Sequence, residues 1–368
     1  MAAKPLKIIL FCRSLGRGGA ERQIIYLARG LQKAGHQIVI LTLYPPTPSW
    51  YDVSGLTVIN LSKKSRWDLI GFILSYVRFI KSFKADVLYS FLTVQNIIAA
   101  LTSLFTPLKV VCGLRVSFMD FTQYSVLDRV LHKLETQLYR LNVKIIANSH
   151  AGRELLLKNA PYTLNKVAVI TNGLDLKENE FSASKRQEFR SALGLNDKDI
   201  LVGHVGRYDP MKDHKTFIEA AVRVLAHYPN CYFLCWGHGD PTYLQSLKDY
   251  AKSQRVNIIW HSERSHPCYS AFDIYCLSSI GEGYSNTLCE AMSHGIPCIT
   301  TDVGDCRQIV EDFGVVVAPA NADALALAIQ EIIGTSHDIP NIRQVAYCKE
   351  KFSLDRLVNR TLLELTKI

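Results

Sequence analysis

The chain alternates short apolar runs with longer amphipathic stretches from one end to the other. Runs rich in Val, Ile and Leu at 6–12, 37–43, 57–61, 86–90, 108–114, 144–148 and 166–170 read as strands. Helical periodicity fills 19–34, 67–84, 124–142 and 150–159. The second half repeats the style, with strands near 200–206, 231–236, 256–260, 273–277, 297–301 and 314–317 and helices near 212–228, 241–254, 285–295 and 321–334. The strand runs are apolar without alternation, which predicts parallel strands covered by helices on both faces. This order predicts an α/β fold of two tandem Rossmann-like, doubly wound domains.

A chain of 368 residues accommodates two such domains. The boundary is placed after Asn172-Gly173-Leu174-Asp175, which gives domains 1–175 and 176–352. Beyond it, 176–198 is polar and charged with little strand character. A final amphipathic helix, 353–368, begins after the second domain is complete and is expected to pack back on the first.

Composition changes the picture in two places. The ten cysteines stand singly, with no CxxC pair, mostly in apolar runs such as Tyr275-Cys276-Leu277. They read as buried, reduced thiols of a cytoplasmic protein. No signal peptide is expected, because the chain enters a strand at Lys7, and no apolar run is long enough to span a bilayer. Charge is the second point: residues 1–175 hold 22 Lys+Arg against 9 Asp+Glu, a net +13, while the remainder holds 20 against 24, a net −4. A basic first half points to an anionic surface or partner.

Candidate chemistry concentrates in Gly281-Glu282-Gly283-Tyr284-Ser285-Asn286-Thr287-Leu288-Cys289-Glu290. One glutamate sits in a Gly-rich turn and the second lies two turns into a helix. Two such carboxylates can hold two ends of one ligand, and the first helical turn offers backbone N–H groups to an anion. That pattern suits a sugar, a diphosphate and a ribose in a row. Upstream, the strand Ile200–Val205 runs into Gly206-Arg207-Tyr208-Asp209-Pro210-Met211-Lys212. Arg engages a diphosphate bidentately while Lys acts as a point charge. Further loops at 236–240, 259–264 and 302–305 close strands and should gather at the same sheet edge.

The first strand leads into Ser14-Leu15-Gly16-Arg17-Gly18-Gly19-Ala20-Glu21 and then a helix. This is not a dinucleotide fingerprint, because Glu21 stands where the third glycine belongs. Asp197-Lys198-Asp199 reads as a turn rather than a metal site, and Arg129, Lys133 and Arg140 as an exposed helix face. Phe72, Phe79 and Phe83 read as core. Arg78, Lys81 and Lys84, however, interleave with apolar residues over 67–84, a stretch suited to a membrane surface.

Gly18-Gly19-Ala20-Glu21, Asn148-Ser149, Asn172-Gly173-Leu174-Asp175, Gly206-Arg207 with Lys212, and Glu282-x7-Glu290, in that order, resemble the retaining glycosyltransferases of family 4. The resemblance covers nearly the whole chain, closely over 200–335 and loosely over 45–145. It implies the GT-B fold, in which two Rossmann-like domains face a cleft, an acceptor-binding first domain and a nucleotide-sugar-binding second one. By that resemblance Arg207 and Lys212 bind the diphosphate, and amides around Ser285, Asn286, Thr287 and Leu288 assist. Glu290 accepts hydrogen bonds from the ribose, and Glu282 holds donor-sugar hydroxyls. Gly18 and Gly19 admit the phosphates, and Arg264 borders the base. Glu282, Arg207 and Lys212 form the catalytic set, with no metal and no cofactor beyond the nucleotide sugar.

Many family members carry a His after the strand at 108–114. Here the loop reads Gly113-Leu114-Arg115-Val116-Ser117, so Arg115 is expected to meet an acceptor or donor group, or else to serve a structural salt bridge. The implied reaction moves a hexosyl or N-acetylhexosaminyl group, from a UDP-sugar by preference, to a glycan or lipid-linked acceptor in polysaccharide or glycoconjugate synthesis. The implied place is the cytoplasmic face of an anionic membrane, with no nucleic acid as partner. Three other readings compete: a nucleotide-sugar epimerase of the same fold, a non-catalytic module for an anionic surface, and a dehydrogenase, which the broken glycine fingerprint disfavours.

Overall fold

A computed structural model describes residues 4–16, 18–45, 51–63, 68, 70–115, 126–141, 143–261, 266–335 and 338–367. The chain divides into two compact units, Met1–Gly173 with Leu354–Ile368, and Leu174–Ser353.

The first unit runs β1 (Lys7–Cys12), α1 (Gly19–Lys33), β2 (Gln37–Thr42), β3 (Thr57–Asn60), α2 (Ile70–Phe83), β4 (Val87–Phe91), α3 (Thr93–Thr102), β5 (Lys109–Leu114), α4 (Val126–Leu138), β6 (Val143–Ala147), α5 (His150–Asn159) and β7 (Val167–Val169). All pairings are parallel, in the order β3-β2-β1-β4-β5-β6-β7. The five inner strands are buried on both faces, as their unbroken apolar runs require, while the edge strands β3 and β7 are only partly buried. One face packs against α2, through Phe72, Tyr76 and Ile80, together with residues from α3 and α5. The other face packs against α1 and a helix from the end of the chain.

The second unit opens with α6 (Ala183–Ala192), which lies inside the polar segment 176–198, where the sequence pattern marked no element. It has a single large apolar residue, Phe189, so it shows no amphipathic stripe. Ser182 caps it, and two arginines dock it: Arg186 pairs with Asp273, and Arg190 Nη1 lies 2.7 Å from Asp273 Oδ2. Then follow β8 (Ile200–Val205), α7 (His214–Leu225), β9 (Cys231–Trp236), α8 (Pro241–Ser253), β10 (Ile258–His261), β11 (Ile274–Leu277), α9 (Asn286–Ser293), β12 (Cys298–Thr301), α10 (Cys306–Val310), β13 (Gly314–Val317), α11 (Ala322–Gly334) and α12 (Ile342–Lys351). Their order is β10-β9-β8-β11-β12-β13, again parallel throughout. Both sheets are therefore doubly wound, with connections reversing between β1 and β4 in one and between β8 and β11 in the other. Ligands of such sheets bind beyond the carboxyl ends of the strands at that reversal.

The last helix, α13 (Leu354–Thr366), returns to the first unit and lies on α1. A Cβ at Gly30 would fall 2.2 Å from Val358, so the glycine lets the two helices approach. Buried Gln23 of α1 holds Gly173 from both sides, donating to its carbonyl at 2.7 Å and accepting from its amide at 2.9 Å. Nine of the ten cysteines are buried, Cys268 is partly exposed, and all ten are free thiols. Burial raises the thiol pKa values, Cys348 to about 12, which keeps them protonated and inert.

Candidate functional site

The reversal between β8 and β11 brings Lys212 to Glu282. Lys212 ends a single 3-10 turn, Pro210–Lys212, which Asp209 caps by accepting from the Met211 amide at 2.9 Å. Asp213 then adopts a left-handed conformation, φ 46°, and caps α7. The loop after β11 is laced to this turn. Ser278 Oγ donates to the carbonyls of Lys212 and Asp213 at 3.1 and 2.9 Å, and the Ile280 amide donates to Met211 at 2.9 Å. With both loops fixed, Lys212 Nζ lies 2.5 Å from Glu282 Oε1. The same oxygen accepts from Ser279 Oγ at 2.7 Å, and Thr301 Oγ1 holds the Ser279 carbonyl at 2.6 Å. Both charges are largely shielded, with side chains 18% and 10% exposed. Shielding makes the geometry exacting, because an unpartnered charge there costs far more than one in water.

Glycines let the neighbouring loops close in. A Cβ at Gly237 would fall 1.9 Å from the Gly206 carbonyl, so the loops after β8 and β9 run side by side. At Gly304, φ is +55° and a Cβ would meet the Glu282 carbonyl at 2.3 Å. The loop after β12 therefore presses on the glutamate's own backbone, and the Asp305 amide donates to Gly283 at 3.0 Å.

The second glutamate has different surroundings. Glu290 is buried in α9, where the hydroxyl of fully buried Tyr269 donates to its Oε2 at 2.7 Å. At the start of α9 Ser285 is the cap. Its Oγ accepts from the Leu288 amide at 3.4 Å and lies 3.3 Å from Thr287 Oγ1, which itself accepts from Tyr275 at 2.9 Å. The Leu288 amide thus has a partner inside the cap. Arg207 is at the same sheet edge but exposed, 3.7 Å from Asp209. Arg264 lies outside the described residues.

Beneath the Lys212 turn two imidazoles, His204 of β8 and His214 of α7, sit with ring centroids 4.6 Å apart. Both are fully buried, and burial pushes their pKa values down, with nearby positive charge at Lys212 adding to the effect; His214 falls to about 3. Both are neutral across the physiological range, so no cationic imidazole sits beneath the Lys212 turn.

In the first unit Gly18 caps α1 in extended conformation and Gly19 begins the helix. A Cβ at Gly18 would fall 2.1 Å from Glu21 Oε2, so this glycine makes room for the glutamate of its own turn. Arg115, just past β5, meets no carboxylate among the described residues. Its guanidinium donates to Asn172 Oδ1 at 2.9 Å and to the Tyr89 hydroxyl at 3.2 Å, and lies 4.8 Å over the Phe91 ring. Neutral partners orient this cation, and among the described residues no salt bridge, which was one expectation, is formed.

Sequence reasoning missed Ser279 and Tyr269, which hold the two glutamates, and the lacing through Ser278 and Thr301. A lone Ser or Tyr carries no spacing signal. Gly304 was legible only as part of a loop closing a strand.

Two family models match the chain, glycosyltransferase family 4 over residues 17–178 and glycosyl transferases group 1 over residues 199–335. An uncharacterized glycosyltransferase of Methanocaldococcus jannaschii is 22% identical, over 94% of this chain and 93% of the relative. The Campylobacter jejuni N-acetylgalactosamine-N,N'-diacetylbacillosaminyl-diphospho-undecaprenol 4-alpha-N-acetylgalactosaminyltransferase is 23% identical, over 89% and 90%. Among solved structures, Anabaena HepE in complex with UDP superposes with a TM-score of 0.85 at 19% identity, covering 99% of this chain and 100% of that one. Sucrose-phosphate synthase from Thermosynechococcus elongatus gives 0.80 at 18%, with 98% of each covered. Two doubly wound parallel domains, matched by these models over most of their length, make this chain a family 4 glycosyltransferase with the GT-B fold.

Proposed function

We propose that the chain is a retaining glycosyltransferase whose second unit, Leu174–Ser353, binds a nucleotide sugar and whose first, Met1–Gly173 with Leu354–Ile368, receives the acceptor. The observation that carries this is the Lys212–Glu282 pair, fixed at the reversal of the second sheet beside the start of α9. A departing nucleoside diphosphate gathers negative charge on phosphate oxygens. Lys212, Arg207 and the first amides of α9 supply positive potential there without reorganising during the reaction. With two cations and a helix start facing the diphosphate, the reading is metal-independent, and activity should persist in chelator.

Glu282 is released from Lys212 as the diphosphate takes the lysine, and holds hydroxyls of the donor sugar. Glu290, kept in place by Tyr269, accepts from the ribose. The bond from the anomeric carbon to the diphosphate oxygen breaks, and an acceptor hydroxyl oxygen bonds that carbon on the same face. The hydroxyl proton passes to the departing diphosphate. Gly18 and Gly19 admit the phosphates, and Arg264 borders the base.

UDP is the favoured nucleotide, consistent with the UDP complex of the Anabaena neighbour. The sugar is a hexosyl or N-acetylhexosaminyl group. The acceptor is a glycan or lipid-linked hydroxyl in polysaccharide or glycoconjugate synthesis, met at the cytoplasmic face of an anionic membrane. The Campylobacter relative, whose name carries a diphospho-undecaprenol acceptor, supports that choice, as does the basic first half of the chain. The test is UDP release from UDP-sugars with and without a lipid-diphosphate acceptor, with the anomer of the product read by NMR. Acceptor-dependent release with retention supports the proposal. Acceptor-independent release with epimerised sugar would replace it with the epimerase reading.

A further inference from the structure

Helix α2 has two apolar faces. Phe72, Tyr76 and Ile80 face the sheet and are buried. Ile70, Ile73, Leu74 and Val77 recur at helical spacing on the outer side, and Ile70 and Leu74 are 78% and 63% exposed. A helix of a soluble protein normally carries one apolar stripe, and a second requires a cover. The feature is not confined to one helix. Of the 18 exposed large apolar side chains among the described residues, 12 belong to α2, to α3 with the turn after it, and to α4, including Leu127 and Val130. Those three helices lie on one face of the first sheet. Helix α2 contains no acidic residue, and Arg78, Lys81 and the following Lys84 stand exposed beside its outer stripe. Among the described residues no helix is long and apolar enough to cross a membrane.

We propose that this face, centred on the outer side of α2, lies on the surface of an anionic lipid bilayer, its apolar stripe at the headgroup boundary and its lysines and arginines on lipid phosphates. Apolar side chains inserted beside basic ones give the combination that binds such a surface. A second copy of the chain fits less well, because a face-to-face pair would set Arg78, Lys81 and Lys84 against their own copies. The inference deepens the lipid-acceptor reading by naming the surface. Vesicle binding needs neither donor nor acceptor, so the two ideas fail separately.

The experiment is co-flotation of the full chain with vesicles of phosphatidylglycerol and phosphatidylcholine in equal parts, and with phosphatidylcholine alone. One variant carries Ile73→Ser, Leu74→Gln and Val77→Ser; another carries Arg78→Gln and Lys81→Gln. All these positions are exposed and leave the buried side of α2 intact, and circular dichroism melting confirms folding. Binding is expected to the anionic vesicles only and to weaken with salt. The charge variant should lose about fivefold per residue, the worth of one basic residue at an anionic surface, and the apolar variant about tenfold or more. Absent binding by the wild type, or binding that both variants retain in full, overturns the proposal. So does a dimer, seen by sedimentation, that the apolar variant dissociates without loss of vesicle binding.

Discussion

Lys212 and Glu282, 70 residues apart in sequence, meet through an ion pair of 2.5 Å because β8 and β11 are neighbours at the point where the sheet reverses its winding. Each is the other's principal counter-charge, so substitutions at the two positions should differ in a diagnostic way. Glu282→Ala leaves Lys212 to receive a diphosphate and should abolish transfer while nucleotide binding survives. Lys212→Ala should weaken nucleotide binding and lower kcat by about 100- to 1,000-fold, the usual loss on removing one charge-stabilising donor. Steady-state kinetics beside calorimetric titration with UDP separates the two. Full activity in Glu282→Ala would remove that residue from the mechanism.

Tyr269 touches Glu290 and not the proposed reacting carbon. Tyr269→Phe keeps the ring among its neighbours and deletes the hydrogen bond. The donor KM should rise, with kcat nearly constant, by about 5- to 150-fold, corresponding to about 1–3 kcal/mol for a buried acceptor left without its donor. A fall in kcat at unchanged KM would contradict a role confined to binding.

The buried histidines make stability depend on acidity. Their folded pKa values lie below the unfolded value of about 6.5, so between the two the unfolded chain binds more protons and stability rises with pH. The contribution is complete above about pH 6.5 and declines as pH falls toward the folded value, about 3 for His214. At pH 5 His214 alone should cost about 2 kcal/mol, and His204 adds to this. Thermal melts at pH 7 and pH 5 should show the drop, and a His214→Phe variant, filling the same space without a titrating group, should show a smaller one.

Gly304 stands in a left-handed conformation against the Glu282 carbonyl. Gly304→Ala brings both backbone strain and a collision with main-chain atoms that cannot step aside. It should destabilise the second unit by more than about 1 kcal/mol and reduce kcat by displacing Glu282. Gly35, also at positive φ but with nothing near its missing Cβ, serves as the control: Gly35→Ala should lower the melting temperature without touching kcat.

Which parts of this were legible in the sequence follows from what each part is made of. Strands such as β8 and β9 are written as unbroken apolar runs because both faces are covered, and every expected strand region holds one. Helix α6 was not visible, since it docks through Arg186 and Arg190 on Asp273 rather than through an apolar stripe. Helix α3 was also missed. It buries Gln95 and Asn96, and the partners of Asn96 lie on β4, β5 and α4 and cannot be seen locally. Helix α12 likewise buries a polar residue, Gln344, which donates to the Met292 and Ile296 carbonyls. In the site, Glu282, Glu290 and Lys212 announced themselves by type and spacing beside Gly-rich turns. Tyr269 and Ser279 did not, because a residue that orients another is defined by a contact made only in the fold.

The most direct test of the donor site is a calorimetric titration of the full chain with nucleoside diphosphates, run in parallel on Lys212→Ala and Glu290→Gln. The account predicts that one of them, UDP first, binds the wild type and raises its melting temperature by the linkage of binding to stability, and that both variants bind it at least tenfold more weakly, about 1.4 kcal/mol each. A wild type that binds none of them, or variants that bind as tightly as the wild type, would contradict it.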